Sequence, residues 1–339
     1  MTQHHLRLAH PTLSRRTCLR LLAGAAVATS LAACRPVSRS PALRSPAQTA
    51  KESEGGHMPQ GEGLPVQKVL ANGVELHYVE QGEGEPLVLL HGGFADYREW
   101  GPLSARLAEH NRVIAYSQRY YYPNRNLPIV PGYTTLVDAE DLAAFLQVLN
   151  LDRSHVVGYS SGAYMALAMA LQHPKLVRTL ALAEPPIIDW LPGLPGGDEL
   201  YADFMARFWQ PTGDAFRQGD AELAMRTSVK YFAGADVLDE LPPDVRQGLE
   251  ENLAGWEAFT TSQDCFPMID KAQVAELSMP VLLITATDTL PVHKLVNGEL
   301  IRLLPRAEHA ILQDSTHEML EEQPQAFAAA VLEFLRTHA

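Results

Sequence analysis

Hydrophobic and polar positions divide the chain into three stretches of different character. Residues 21–33 form an uninterrupted run of Leu, Ala, Val, Gly, Thr and Ser with no charge. Residues 34–63 lose that pattern and are rich in Pro, Ser, Ala and Gly. From residue 66 onward, short apolar runs alternate with segments whose apolar residues recur every three or four positions.

The third stretch predicts strands at 66–70, 74–79, 87–90, 113–116, 155–158, 179–183, 281–285 and 310–312. The first two flank Asn72-Gly73, a pair that closes two-residue hairpins. Wholly apolar runs such as Leu87-Val88-Leu89-Leu90 suit strands buried on both faces of a parallel sheet. Helices are expected at 98–109, 135–149, 162–172, 292–304 and 324–337; the second gathers Leu142, Phe145, Leu146 and Leu149 on one face. Such alternation means a mostly parallel sheet with helices on both faces. It lapses between Ala183 and Val281. That stretch opens with Pro185-Pro186 and turns helical and aromatic, with Phe204, Phe208, Trp209, Tyr231, Phe232 and Trp256. It predicts a helical cap at 187–268, inserted into a core made of 64–186 and 269–339.

With 339 residues, 46% of them apolar, the chain can bury a large core. The net charge of −13 supplies no basic face for counterion release, which argues against nucleic acid as a partner. The charge is also uneven. Residues 1–51 hold eight Lys/Arg and no Asp or Glu, so the remainder carries −21. A basic head on an acidic body reads as a targeting segment. Its thirteen apolar residues fall short of the roughly 20 that span a bilayer.

Ser14-Arg15-Arg16-Thr17-Cys18-Leu19-Arg20 resembles a twin-arginine export signal, and Leu31-Ala32-Ala33-Cys34 resembles a bacterial lipobox. The resemblance implies an export signal over 1–33, lipidation of Cys34 and a flexible tether over 34–63. It further implies attachment at the bacterial cell envelope, with membrane contact only through that lipid. Cys18 would leave with the signal, so Cys265 stands without a disulfide partner and is expected to be a small buried residue.

The chemistry is concentrated in Gly158-Tyr159-Ser160-Ser161-Gly162, set between an apolar strand and an Ala/Met-rich helix. A Ser in so tight a strand-to-helix turn needs glycines on either side, because a side chain there would meet neighbouring backbone. The helix that follows points its N–H groups at the place where negative charge would develop. His91-Gly92-Gly93-Phe94 follows another buried strand. Late in the chain stand two histidines, His309 in the last strand and His317 beyond it.

These motifs, in this order, resemble the α/β-hydrolase superfamily in its Ser-nucleophile, esterase-like branch, over roughly residues 66–339. The resemblance implies an α/β fold with an eight-stranded, mostly parallel sheet and a helical cap. Ser160 would be the nucleophile and His317 the base, with the N–H groups of Gly93 and Ser161 forming the oxyanion hole. The orienting acid has two candidates. Asp288 follows the strand at 281–285, the usual place, although Ala286 replaces the customary Gly and Pro291 comes one position early. Glu184 ends the preceding strand, where some members carry the acid. A buried carboxylate there would be costly unless paired. Arg119-Tyr120-Tyr121-Tyr122 keeps only the Arg of a loop that often braces the rim, and its tyrosines suit either the cleft or the core.

The implied function is acyl transfer on a small carboxylic ester or lactone, with neither metal nor organic cofactor required. Carbon–carbon bond hydrolysis and cofactor-free perhydrolase activity are alternatives on the same site, and a non-catalytic hydrolase-like binding protein is the alternative of another class. Ser at the elbow argues against the haloalkane dehalogenase and epoxide hydrolase branches, whose covalent intermediates form on a carboxylate. The pattern leaves the oligomeric state open.

Overall fold

In a computed structural model, residues 63–124 and 127–338 are described. The expected export signal, Cys34 and the tether up to residue 62 lie outside the described residues. Strands β1 (Gln67–Ala71), β2 (Val74–Gln81), β3 (Glu85–Leu90), β4 (Asn111–Tyr116), β5 (Ser154–Tyr159), β6 (Val177–Ala183), β7 (Val281–Ala286) and β8 (Glu308–Leu312) form one eight-stranded sheet. Its order is β1-β2-β4-β3-β5-β6-β7-β8, as an α/β-hydrolase fold requires. Strand β2 pairs antiparallel with β1 and β4, and the other pairings are parallel. Asn72 and Gly73 both have positive φ, +46° and +76°. That backbone matches the twist of the β1–β2 hairpin.

Burial follows the apolar pattern. Every residue of β5 and β7 is buried, whereas the edge strands β1 and β8 are largely exposed. Leu142, Phe145 and Leu146 of α2 (Thr135–Val148) pack on one face of the sheet, with the eight residues Ala163–Ala170 of α3 (Ser161–Gln172). Leu103 and Leu107 of α1 (Gly101–Leu107) cover the other face, with Phe327, Val331 and Phe334 near the C-terminus. The helix expected at 98–109 is in two pieces: a single turn, Tyr97–Trp100, capped by Asp96, and then α1. Pro102, which has no N–H to give, fits only the first turn of the second piece.

The lapse in alternation is a helical insertion. It contains α4 (Gly197–Phe204), α5 (Gln210–Arg217), α6 (Ala221–Ala233), α7 (Pro243–Glu251) and α8 (Leu253–Thr261). A π-helical turn, Met205–Trp209, joins α4 to α5 just before Pro211, which cannot continue the α-helical ladder. After it come α9 (Lys271–Ala275), α10 (Pro291–Leu303), α11 (Met319–Glu322) and α12 (Pro324–Thr337). No helix among the described residues is long and apolar enough to cross a membrane.

The strand order sets the position of the site. Strand β3 lies between β4 on one side and β5 on the other, so the chain leaves β3 and β5 at a point where the order reverses. Crevices at the carboxyl ends of such strands are where open α/β sheets bind ligands.

Candidate active site

Ser160 sits between β5 and α3 with φ +53° and ψ −123°, a conformation that L-residues seldom adopt. Holding it costs on the order of 1–3 kcal/mol, which the surroundings must supply. The Ser160 N–H donates to the Ala183 carbonyl at 2.8 Å, and both flanking glycines allow close packing. A Cβ on Gly158 would come within 2.5 Å of the Gly162 carbonyl oxygen, and one on Gly162 within 2.4 Å of the Leu90 and His91 carbonyl oxygens. The turn is tight because three strands and a helix converge on it.

His317 follows β8, and its Nε2 lies 3.1 Å from Ser160 Oγ. Its Nδ1 lies 2.6 Å from Glu184 Oε2. Glu184 is fully buried at the end of β6, and the Ala286 N–H donates to its Oε1 at 2.9 Å, the Thr289 hydroxyl to its Oε2 at 2.7 Å. Those bonds supply the pairing that a buried carboxylate needs. They also fix the tautomer: Nδ1–H donates to Glu184, which leaves the Nε2 lone pair for the Ser160 hydroxyl.

Of the two candidate acids, Glu184 therefore meets the imidazole and Asp288 does not. Asp288 is exposed, its carboxylate meets the Thr287 hydroxyl, and its N–H is bound to the Ser315 carbonyl. The reason is a contact between segments more than a hundred residues apart. The loop after β7 turns Ala286 N–H and the Thr289 hydroxyl inward as donors to Glu184, and Asp288 is left facing solvent. His309 stays in β8, where its Nε2 meets the Thr285 hydroxyl.

Burial alone would lower the His317 pKa, but the hydrogen bond and charge of Glu184, with Glu318 adding, raise it above the ordinary imidazole value. The Tyr159 hydroxyl donates to the His317 carbonyl at 2.7 Å and its ring stacks on the imidazole.

The loop after β3 faces this arrangement. His91 is buried and held neutral, with its pKa pushed down to about 4 by burial. One ring nitrogen donates to the Gly92 carbonyl and the other accepts from the Gln118 N–H. Glu99 accepts from the Gly92 N–H at 2.9 Å. The N–H groups of Gly93 and Ser161 donate to no protein acceptor among the described residues, and both residues line the cavity over Ser160.

That cavity has a volume of about 530 Å³. Cap aromatics wall it, among them Phe208, Trp209, Phe232 and Trp256. Trp256 packs so closely on the β3 loop that a Cβ on Gly93 would stand 2.4 Å from its ring. Arg98, the one Lys or Arg among the described lining residues, is bound by Asp96 and Glu251. Asn252 latches cap to core, donating to Asp96 and accepting from the Tyr122 N–H.

Arg119 binds Asp141 through two nitrogens beneath the loop, and Tyr120 and Tyr121 are buried in the core, not in the cleft. Cys265 is free and buried, as expected.

Among the described residues, Glu184, His293 and His317 are the one group of His, Cys, Asp or Glu whose donor atoms come close enough together to suggest a metal. The two imidazoles lie parallel, inclined by 6° with centroids 4.1 Å apart. The ring planes do not meet anywhere near the two imidazoles, so their in-plane lone pairs cannot share an ion at about 2.0–2.1 Å. His293, Glu99 and Asn252 are not singled out by the sequence, and Trp256 only as one of the cap's aromatics; each acts through a fold contact that no local motif encodes.

A family model described as the alpha/beta hydrolase fold matches residues 85–324. A Yersinia enterocolitica protein named as a carbamate hydrolase, RutD, is 26% identical over 270 residues, covering 77% of this chain and 92% of its own length. The 2-hydroxy-6-oxo-2,4-heptadienoate hydrolase of Pseudomonas putida is 36% identical over 118 residues, 34% of this chain and 42% of the relative. Among solved structures, the enol-lactonase from Burkholderia xenovorans LB400 matches with a TM-score of 0.63 and 21% identity, covering 80% of this chain and all of that one. That likeness shows the fold.

Proposed function

The chain belongs to the α/β-hydrolase family, and we propose that it is a serine hydrolase acting by acyl transfer on a small, uncharged and largely apolar carboxylic ester or lactone. The observation that carries this reading is the hydrogen-bonded line from Ser160 through His317 to buried Glu184, lying under an aromatic cavity.

The steps follow from that line. Ser160 Oγ attacks the carbonyl carbon while its proton passes to His317 Nε2. Glu184 holds the imidazolium, and the oxyanion draws on the N–H groups of Gly93 and Ser161. Collapse breaks the carbonyl–oxygen bond, and the departing alkoxide takes the proton from His317. Water, deprotonated by the same imidazole, then attacks the acyl-enzyme, and return of that proton to Ser160 releases the free acid.

Carbon–carbon bond hydrolysis is the second reading, motivated by the local similarity to a dienoate hydrolase. The lining weighs against it. A dienoate carries a carboxylate, and this cavity offers Asp96, Glu99, Asp244 and Glu318, with Arg98 already paired. From the sequence alone we also propose export through residues 1–33 and anchoring by a lipid on Cys34.

The test is labelling by a fluorophosphonate probe, followed by a screen of neutral acyl esters of graded length. Labelling that is lost in Ser160→Ala, with turnover of neutral esters, supports the proposal. A folded wild-type protein that neither reacts with the probe nor turns over any ester would refute it.

A further inference from the structure

His293 lies on α10, two residues past Pro291. Its ring is stacked on His317, with the 4.1 Å separation and 6° inclination already described. It is 4% exposed, its Nδ1 has no hydrogen-bond partner among the described residues, and it lines the cavity over Ser160. What meets His317 is the face of this ring, not its unpartnered nitrogen.

We propose that His293 is a positioning residue whose neutral imidazole face stabilises the imidazolium formed on His317 when Ser160 gives up its proton. The inference rests on the serine-hydrolase reading above. A cation placed over the face of an aromatic ring is attracted to it, more strongly where water is excluded. His293 offers such a face only while it is uncharged. Burial pushes its pKa well below the ordinary value, and the charge of His317 pushes it the same way. It therefore stays neutral while His317 cycles between imidazole and imidazolium.

The other groups around His317 act in different directions. Glu184, from the end of β6, meets the ring edge at Nδ1, while Ser160 meets Nε2. Glu318, next in the chain, adds its negative charge, itself coupled to Glu322 and Glu184. Tyr159 stacks at 5.1 Å from β5, and Phe232 of the cap at 6.3 Å. Glu184 fixes the tautomer in the ring plane; His293 acts across the ring face. The proton moves from Ser160 Oγ to His317 Nε2 and on to the leaving oxygen. His293 neither takes nor gives one.

The experiment compares His293→Leu with His293→Phe, using kcat and KM on a neutral aryl ester, the pH profile of kcat/KM, and NMR titration of the His317 ring. His293→Leu should lower the His317 pKa by about one unit and kcat about tenfold, since a tenfold change corresponds to one unit, with KM little changed. His293→Phe should keep both near wild type. Overturning results are a Leu variant whose His317 titration does not move, or a Phe variant as impaired as Leu, which would assign the role to a ring nitrogen. Failure of wild-type probe labelling would remove the functional reading instead, and the NMR titration would still report whether the stack favours the His317 cation.

Discussion

Glu184 accepts a 2.6 Å hydrogen bond from His317 across the carboxyl end of the sheet, from a position with no solvent exposure. Its backbone is in the left-handed region, φ +49°, just ahead of Pro185-Pro186. Two more donors, from Ala286 and Thr289, hold its carboxylate in place. Glu184→Gln should keep much of this packing while removing the charge and disturbing the tautomer. A comparable acid-to-amide change in a serine protease costs roughly 10⁴-fold in turnover. A loss of that order is expected here, with Asp288→Asn near wild type. The check is ester turnover of both purified variants; the reverse ranking would overturn the assignment of the acid.

The same pair sets the pH dependence. His317 must be neutral to take the Ser160 proton, and its pKa is raised by Glu184 and Glu318 against the opposing effect of burial. Protonation on acidification therefore begins at a higher pH than for a free imidazole, so the acid limb of kcat/KM should lie above the ordinary value of about 6.5. Glu184→Gln removes the largest raising influence and should move that limb to lower pH. An acid limb below the ordinary value in wild type, measured on a neutral ester, would contradict this account.

Much of the sheet and the Ser160 elbow were legible in sequence because their causes are local. Buried parallel strands need short apolar runs, and the elbow needs Gly158 and Gly162 where its backbone meets its neighbours. The α/β-hydrolase resemblance puts the base in the loop past the last strand, which selects His317 over His309. The acid could not be fixed in this way. Asp288 and Glu184 both end buried strands, and the decision rests on which way the loop after β7 turns its donors, a contact across more than a hundred residues of chain. The stack of His293 on His317 joins α10 to the loop after β8 and leaves no signature in either segment. The cap was legible as helical and aromatic, but not as the set of rings that closes the cavity.

The expected lipid anchor can be tested apart from catalysis. Cleavage before Cys34 should leave a mature chain beginning at that residue and partitioning with membranes. Stable attachment takes more than one acyl chain, since a single chain binds only marginally. Cys34→Ala should abolish both lipid labelling and membrane partitioning while the folded body keeps the probe labelling and ester turnover expected of the wild type. Unchanged partitioning and mass in that variant would remove the anchoring proposal and leave the chemistry untouched.

The contact between Gly93 and Trp256 ties the loop after β3 to the cap, and the proposed oxyanion hole should depend on it. A methyl group on Gly93 would stand 2.4 Å from Trp256 Cζ3, well inside contact distance, and Trp256 is held by a 2.9 Å hydrogen bond from its indole N–H to the Ser228 hydroxyl. Phe94 adds to the restraint, its ring 4.2 Å from that of Trp256. Gly93→Ala must displace either the indole or the loop. If the Gly93 N–H steadies the oxyanion, a displaced loop should cost kcat about 10²-fold, the order seen when one such donor is lost. Trp256→Leu removes the obstructing ring and should cost mainly KM, through lost apolar contact with substrate. In the double variant the loop can return, so kcat should recover well above that of Gly93→Ala while KM stays elevated. Measuring kcat and KM for the four members of this cycle separates the contact from its neighbours. Additive losses in kcat would mean that Trp256 does not hold the loop in register, and the dependence of the oxyanion hole on the cap would have to be abandoned.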